Sequence, residues 1–392
     1  MNFSKEKELY MKKVLFIQLK GKSYAGVWQV NRTVGEYLIQ KGYEVQIVSI
    51  RENKNNIELE HNPKLKLYTI NKIDVWENNY SGSQIINDLK KFHLNNAIKK
   101  LQVRIKHNIS IKKDTKKLHQ NIYDYNPDYI ITSHYQLLDM IPNEYLSKTI
   151  HEQHSSFEDA KSNKANIKTF NKFKNKIKFL WLTKKTMNNA IQEGYTNSSY
   201  IYNAVRFKSN EQANVTQNKK LITIARLSKD KSIDKMIDIV KDIFKDNKYK
   251  EWTFEIYGNG SEESNLKKKI NNHSQIKLMG ITNNPKKELL TSSINLNTSK
   301  YEGFSLSILE ANECGVPTIS FNFGESTEEQ ILNNKTGIIA KDIDDYKKQL
   351  KLLMDDSQRL EELSTNAKEF SNNFQIEQII NKWIELFKEL EK

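Results

Sequence analysis

In the stretch 299–317, SKYEGFSLSILEANECGVP, Glu302 and Glu310 stand eight residues apart and Gly303 follows the first of them. The apolar spacing from Leu306 onward predicts a helix beginning there. The first turn of a helix leaves backbone N–H groups without intrahelical partners, and the helix dipole puts positive charge at the same end. Such an end, facing the loop 302–305, suits an anion without help from a metal, and glycine lets a phosphate approach the backbone closely. Glu310, one turn into the helix, is suited to accept hydrogen bonds from a ribose diol, and Glu302 to hold sugar hydroxyls. Two glutamates alone would fit an acidic loop and an exposed helical side chain equally well. The whole string decides for chemistry.

Other residues invite weaker readings. His151 and His154 lie in 149–156, TIHEQHSS, and their H-x-x-H spacing has no second pair of ligands nearby to complete a zinc site. Asp342-Ile343-Asp344 has the D-x-D form of a metal-binding carboxylate pair, yet it also stands where an Asp caps a helix, here 345–354. The single cysteine, Cys314, excludes an intramolecular disulfide framework and an all-cysteine zinc site, and its helical position reads as packing.

The elements that must hold these residues alternate regularly. Strand-type runs at 13–18 (KVLFIQ) and 44–50 (EVQIVSI) flank a loop through Gly26 and a helix marked by Val30, Val34, Leu38 and Ile39. That order predicts a parallel βαβ unit. Further strands are expected at 128–132, 149–151 and 178–182, before a polar stretch, 208–219, that reads as a linker. Beyond it the alternation restarts, with strands at 220–225, 252–257, 276–279, 294–297, 318–321 and 336–340 and helices between them. Ile376, Ile379, Ile380, Trp383, Ile384 and Phe387 make the last segment an amphipathic helix. The fold class is therefore α/β.

Composition limits the rest. Hydrophobic residues at 37% against 28% charged, arranged in periodic runs, exclude disorder for most of the chain. No run approaches the about 20 apolar residues of a spanning helix, and the charged opening MNFSKEKELYMKK is unlike a secretory signal. A cytoplasmic protein is expected, with the inner face of the membrane as a possible working place. The net charge of +14 suits anionic partners. Lys90, Lys91, Lys99, Lys100, Arg104, Lys106, Lys112, Lys113, Lys116 and Lys117 are concentrated around an apolar stripe of Ile85, Leu89, Phe92, Leu101 and Ile105, widened by Leu94 and Ile98. That segment fits an ordinary surface helix, or one that docks on a membrane or polyanion.

The motifs as a set resemble the E-x7-E signature of retaining GT-B glycosyltransferases, specifically family 4 of the nucleotide-sugar transferases. The resemblance runs from 225 to 340. Residues 225–231, ARLSKDK, resemble that family's GRL…K segment, whose Arg and Lys bind the donor diphosphate and match Arg226 and Lys231. Ala225 and Ser232 stand where the family has glycines. Gly258 matches the first glycine of the G-x-G after the next strand, and Gly280-Ile281 the turn whose backbone reads the base. Gly303, Phe304, Ser305 and Leu306 then line the donor, with Glu310 on the ribose and Glu302 on the sugar. In the first half, Gly26 matches the second glycine of the family's Gly-Gly loop, with Ala25 in place of the first. His154 best fits the family's active-site histidine, with His151 the alternative.

The resemblance implies two Rossmann-like domains facing across a cleft, 1–206 on the acceptor side and 207–374 on the nucleotide-sugar side, with 375–392 crossing back as a helix. It implies transfer of a hexose, with retention, from a UDP-sugar to a teichoic acid, lipid-linked glycan or other cell-envelope acceptor. No cofactor and no metal are implied, and Arg226 and Lys231 are expected exposed in an open cleft. The competing class is a non-catalytic GT-B protein binding a polyanion such as nucleic acid, against which stands the lack of an aromatic–basic stacking motif. A phosphorylase-like enzyme would need a pyridoxal-phosphate lysine that no motif supplies.

Overall fold

A computed structural model of the protein describes residues 11–22, 26–52, 60–71, 86, 88, 90 and 93–391. Ala25, Ile85, Leu89, Lys91 and Phe92, and most of the charged opening stretch, lie outside the described residues. Seven strands form the first sheet: β1 Lys13–Lys20, β2 Glu44–Arg51, β3 Lys66–Asn71, β4 Tyr129–Thr132, β5 Thr149–Gln153, β6 Lys178–Trp181 and β7 Ser198–Tyr200. Their order is β3-β2-β1-β4-β5-β6-β7. Six form the second: β8 Lys220–Ile224, β9 Thr253–Tyr257, β10 Ile276–Gly280, β11 Ile294–Asn297, β12 Thr318–Phe321 and β13 Gly337–Ala340, ordered β10-β9-β8-β11-β12-β13. Every pair in the second sheet is parallel.

Parallel strands carry helices on both faces, so their sequences must be apolar without alternation. Val14, Leu15, Phe16 and Ile17 of β1 are all fully buried, as that rule requires. Both sheets begin in the middle and are wound outward in two directions, which makes each a doubly wound Rossmann-type sheet. Each has a switch point where neighbouring strands send their chains to opposite sides, between β1 and β4 and between β8 and β11.

Compactness groups Met1–Glu152 with Ala165–Phe179, and Gln153–Lys164 with Leu180–Lys392. Within the second group, the polar stretch 208–219 is not a loose tether. Ser209 N donates to Glu313 at 2.6 Å, Ala213 N donates to the Cys314 carbonyl at 2.9 Å, and Val215 is fully buried. Without apolar period, it is nonetheless fixed by its backbone. The final helix, Ile376–Leu390, buries Ile376, Ile379, Ile380, Trp383 and Phe387 as its spacing requires, and Lys382 lies 5.6 Å over the Tyr200 ring.

The basic segment becomes a helix, Leu94–Tyr125, of 32 residues. It is fastened by a buried ion pair: Arg51 Nη2 of β2 donates to Asp114 Oδ2 at 2.6 Å, with the two side chains 2% and 1% exposed. Asn71 of β3 donates to the other Asp114 oxygen at 3.2 Å. Lys100 pairs with Asp88 at 2.6 Å, so the cations of this helix do not form one free face. Among the described residues, no helix is long and apolar enough to cross a membrane. Removing one partner of a buried pair strands the other charge, at about 3–5 kcal/mol. Asp114→Ala should therefore lower unfolding free energy by about that amount in a urea titration, and a loss under about 1 kcal/mol would show that the pair fastens nothing.

Candidate active site

The loops that leave the carboxyl ends of β8 and β11 lie at the second sheet's switch point, the position where open α/β sheets bind ligands. The β8 loop carries Arg226 and Lys231, and the β11 loop carries Glu302 and Gly303. Hydrogen bonds lock the two together: Lys300 N donates to the Asp230 carbonyl at 2.8 Å, and Thr298 Oγ1 donates to the Lys231 and Ser232 carbonyls, each at 3.0 Å. Ser232, where the family has glycine, holds φ +48 in the left-handed region. That conformation is why glycine suits the position, and Ser accepts it as a helix entry.

Lys231 Nζ donates to Glu302 Oε1 at 2.6 Å, and Ser299 Oγ donates to the same oxygen at 2.8 Å. The side chains of Lys231 and Glu302 are 16% and 14% exposed. Lys231 is thus a half-sheltered, ion-paired cation and not the open one expected. Arg226 does match expectation: its side chain is 64% exposed, held only by Asp230 at 3.3 Å and Ser228 at 3.2 Å. Burial pushes the Asp230 carboxyl up, but Ser228, Arg226 and Lys231 outweigh it and hold it below the usual range.

The glycines act by close approach. A Cβ on Gly258, at φ +139, would lie 1.9 Å from the Ala225 carbonyl oxygen, so strand β9's exit can press on the β8 loop only as glycine. Gly258 N donates to the Gly280 carbonyl at 2.7 Å, which brings in the β10 turn, and Ile281 next to it is exposed. A Cβ on Gly303 would lie 2.0 Å from the His154 carbonyl oxygen. Backbone contact therefore joins Gly280, Gly258, the Arg226–Lys231 loop, Glu302, Gly303 and His154. Gly26 belongs to the other compact unit, where it stands at φ +73 before the helix Val27–Gln40.

Several expected roles change. Glu310 is fully buried, and Arg206 grips both its oxygens, from Nε to Oε1 and from Nη2 to Oε2 at 2.9 Å. Burial opposes the Arg206 charge, yet Glu310 holds the guanidinium above its ordinary range. A ribose reaches this carboxylate only by displacing Arg206. Phe304 is buried against Tyr202 with ring centroids 5.0 Å apart, and its carbonyl accepts from Asn203 at 2.9 Å, so it packs. Ser305 begins the helix Leu306–Glu313 without a side-chain cap, and its N–H donates to Gln330 at 2.7 Å. His151 is fully buried, 3.1 Å from Thr132 Oγ1 and among Phe170 and Phe179, which is a core position.

Asp342 caps the helix Ile343–Asp355 by accepting from Asp345 N at 2.8 Å. Cys314 is buried, and burial pushes its thiol up to about 12. Sequence reasoning misses Arg206 and Glu325. Glu325 accepts from Phe157 N at 2.9 Å and Thr186 Oγ1 at 2.9 Å, tying the segment after His154 to the helix Lys184–Gln192. Glu329 does the same for Lys184 N and Tyr202. The only signal is the four-residue spacing of Glu325 and Glu329, which any surface helix shows.

The chain is similar to several known proteins. Residues 205–370 match the family described as Glycosyl transferases group 1. An uncharacterized glycosyltransferase of Haemophilus influenzae is 24% identical over 95% of this chain and 99% of its own length. A poly(ribitol-phosphate) alpha-N-acetylglucosaminyltransferase of Staphylococcus aureus is 30% identical over 42% of this chain and 34% of its own. A variant of S. aureus TarM, solved with fondaparinux, alpha-GlcNAc-glycerol and UDP, superposes with a TM-score of 0.74 at 17% identity over 96% of this chain and all of that one. The fold is GT-B. Residues 205–370, less than half of the chain, thus resemble the group 1 glycosyl transferases.

Gly303→Ala should force apart the β11 loop and the His154 carbonyl. Overpacking of this kind costs about 1–3 kcal/mol, which a thermal or urea unfolding series should detect. Wild-type stability would mean the loop moves aside freely.

Proposed function

We propose that the protein transfers a hexose from a UDP-sugar to a cell-envelope acceptor, a teichoic acid or lipid-linked glycan, with retention and without a metal ion, as a family 4 enzyme. The observation that supports it most is the convergence of Arg226, Lys231 and the Glu302–Gly303 loop on the switch point of the second sheet. The UDP in the TarM complex and the polymer named for the S. aureus relative favour this donor and acceptor class.

In this reading the bond from the anomeric carbon to the β-phosphate oxygen breaks, and negative charge grows on the departing UDP. Arg226 and Lys231 meet that charge, aided by the start of the helix Leu306–Glu313. The acceptor hydroxyl attacks from the face the leaving group vacates and passes its proton to the departing phosphate. His154 orients sugar and acceptor, and Glu302 holds sugar hydroxyls from beside Lys231. Backbone groups of Gly280 and Ile281 read the base. Glu310 takes the ribose hydroxyls as Arg206 gives way.

Hydrolysis or transfer of a UDP-sugar by the purified protein tests the class directly, since a polyanion-binding relic would leave the donor intact. Activity should persist in excess EDTA; loss on chelation and recovery with Mn²⁺ would make Asp342 and Asp344 metal ligands. Arg226→Ala should lower kcat by about 10²–10³, the effect of removing one preorganised donor to developing charge. Being exposed, Arg226 should leave the thermal midpoint unchanged. Near-normal turnover would remove it from the donor site.

A further inference from the structure

The short run 325–330 stands behind both sides of the contact between Gly303 and His154. Ser326 Oγ donates to the Glu302 carbonyl at 3.0 Å, and Gln330 Oε1 accepts from Ser305 N at 2.7 Å. Both side chains are buried, and together they fix the β11 loop. Glu325 works on the other side. Its carboxylate accepts from Phe157 N at 2.9 Å, from Thr186 Oγ1 at 2.9 Å and from Asn189 Nδ2. Phe157 is the third residue after His154, and its ring is buried against Trp181 and Tyr195, with centroids 5.4 and 5.7 Å apart. The chain from His154 to Phe157 is therefore pinned at both ends. Its first carbonyl lies against Gly303, and its last N–H lies on Glu325.

The partners of Glu325 set it apart from other buried acids of the chain. Asp114, Glu310 and Glu313 each have a cation, respectively Arg51, Arg206 and Lys368. Glu325 is 7% exposed and, among the described residues, pairs with no Lys or Arg. A buried carboxylate without a cation is costly unless hydrogen bonds satisfy it. All three of its partners are neutral donors. One is a backbone N–H at the start of the helix Phe157–Ser162, where no intrahelical acceptor exists. An amide in its place would turn an –NH2 toward one of these groups, donor against donor. Burying an acid in this way adds little stability over an apolar side chain, but a satisfied network fixes the geometry of the groups that it joins.

We propose that Glu325 is a positioning residue: through the Phe157 N–H it sets His154 against the Glu302–Gly303 loop for transfer. The proposal rests on the donor-site reading above, and separate readouts keep the two apart. In transfer from a UDP-sugar, Glu325→Gln should lower kcat by about 10–10², the cost of a misplacement of about 1 Å. Calorimetric UDP affinity should stay unchanged, because Arg226, Lys231 and the Ser326 and Gln330 contacts are untouched. Asn189→Ala removes one donor from a half-buried position and should act the same way with a smaller loss. It carries every test if Glu325→Gln does not fold. Once His154→Ala is present, neither change should lower kcat further, since nothing is left to position. A purely structural residue would weaken UDP binding and act equally in both backgrounds, and either result would overturn the proposal. Without substrate, the ring-proton NMR resonance of His154, assigned by its loss in His154→Ala, should shift in both variants. A wild type that turns over no UDP-sugar would overturn the proposed function, and the resonance would still decide the placement of His154. A shifted resonance with unchanged UDP affinity supports that placement, and an unmoved one overturns it.

Discussion

The short contact between Lys231 and Glu302 holds the candidate site in place. It joins the exits of two neighbouring strands, β8 and β11, which carry all of the cations and one of the glutamates assigned to the donor. Two backbone features make the contact possible. Ser232 turns the chain through a left-handed residue just after Lys231, and Gly303 lets the β11 loop press against the His154 carbonyl. An ammonium held this way is charge fixed in advance, the kind that stabilises a developing anion most strongly. Arg226 is the opposite case, an exposed guanidinium with weak partners.

The acids near the site have unequal tasks, and burial sorts them. Glu302 remains partly accessible beside its lysine. Glu310 and Glu313 lie on one helix and are both buried, each neutralised by its own partner. Arg206 takes the first, while Ser209 N, Ser371, Gln375 and Lys368 surround the second. Burial would push Glu313 up, but those donors hold it below the usual carboxylate range. A buried charge left unpaired is costly, so this helix is built into the fold as much as into the site.

Much of the architecture is legible in the sequence because parallel strands are continuous apolar runs with glycine-marked exits. The β8–β13 pattern, the cap at Asp342 and the amphipathic final helix follow from spacing alone. β7 does not, since SSY has neither length nor apolar content, and neither does β3, whose KLYTIN buries one residue of six. At the site, the glycines and the E-x7-E spacing identify the loops, but spacing cannot say whether a carboxylate is open or gripped. Glu310 looks available in the sequence because its partner Arg206 is 104 residues away in the chain. The sequence context favours His154 over His151, and the structure puts His151 within β5 in the core and His154 after the strand, its carbonyl against Gly303. Leu94, Ile98 and Leu101 are exposed, a direction invisible to periodicity, which finds a stripe without saying which way it faces.

The central claim is that Glu302 positions Lys231 for a nucleoside diphosphate. Calorimetric titration with UDP, which carries no sugar for Glu302 to hold, tests it through a double-mutant cycle. Glu302→Gln should weaken UDP binding in the wild-type background and fail to weaken it once Lys231→Met is present, giving a coupling of about 0.5–3 kcal/mol. If Glu302→Gln weakens UDP by the same factor in both backgrounds, the two residues act independently, and the ion pair does not build the site.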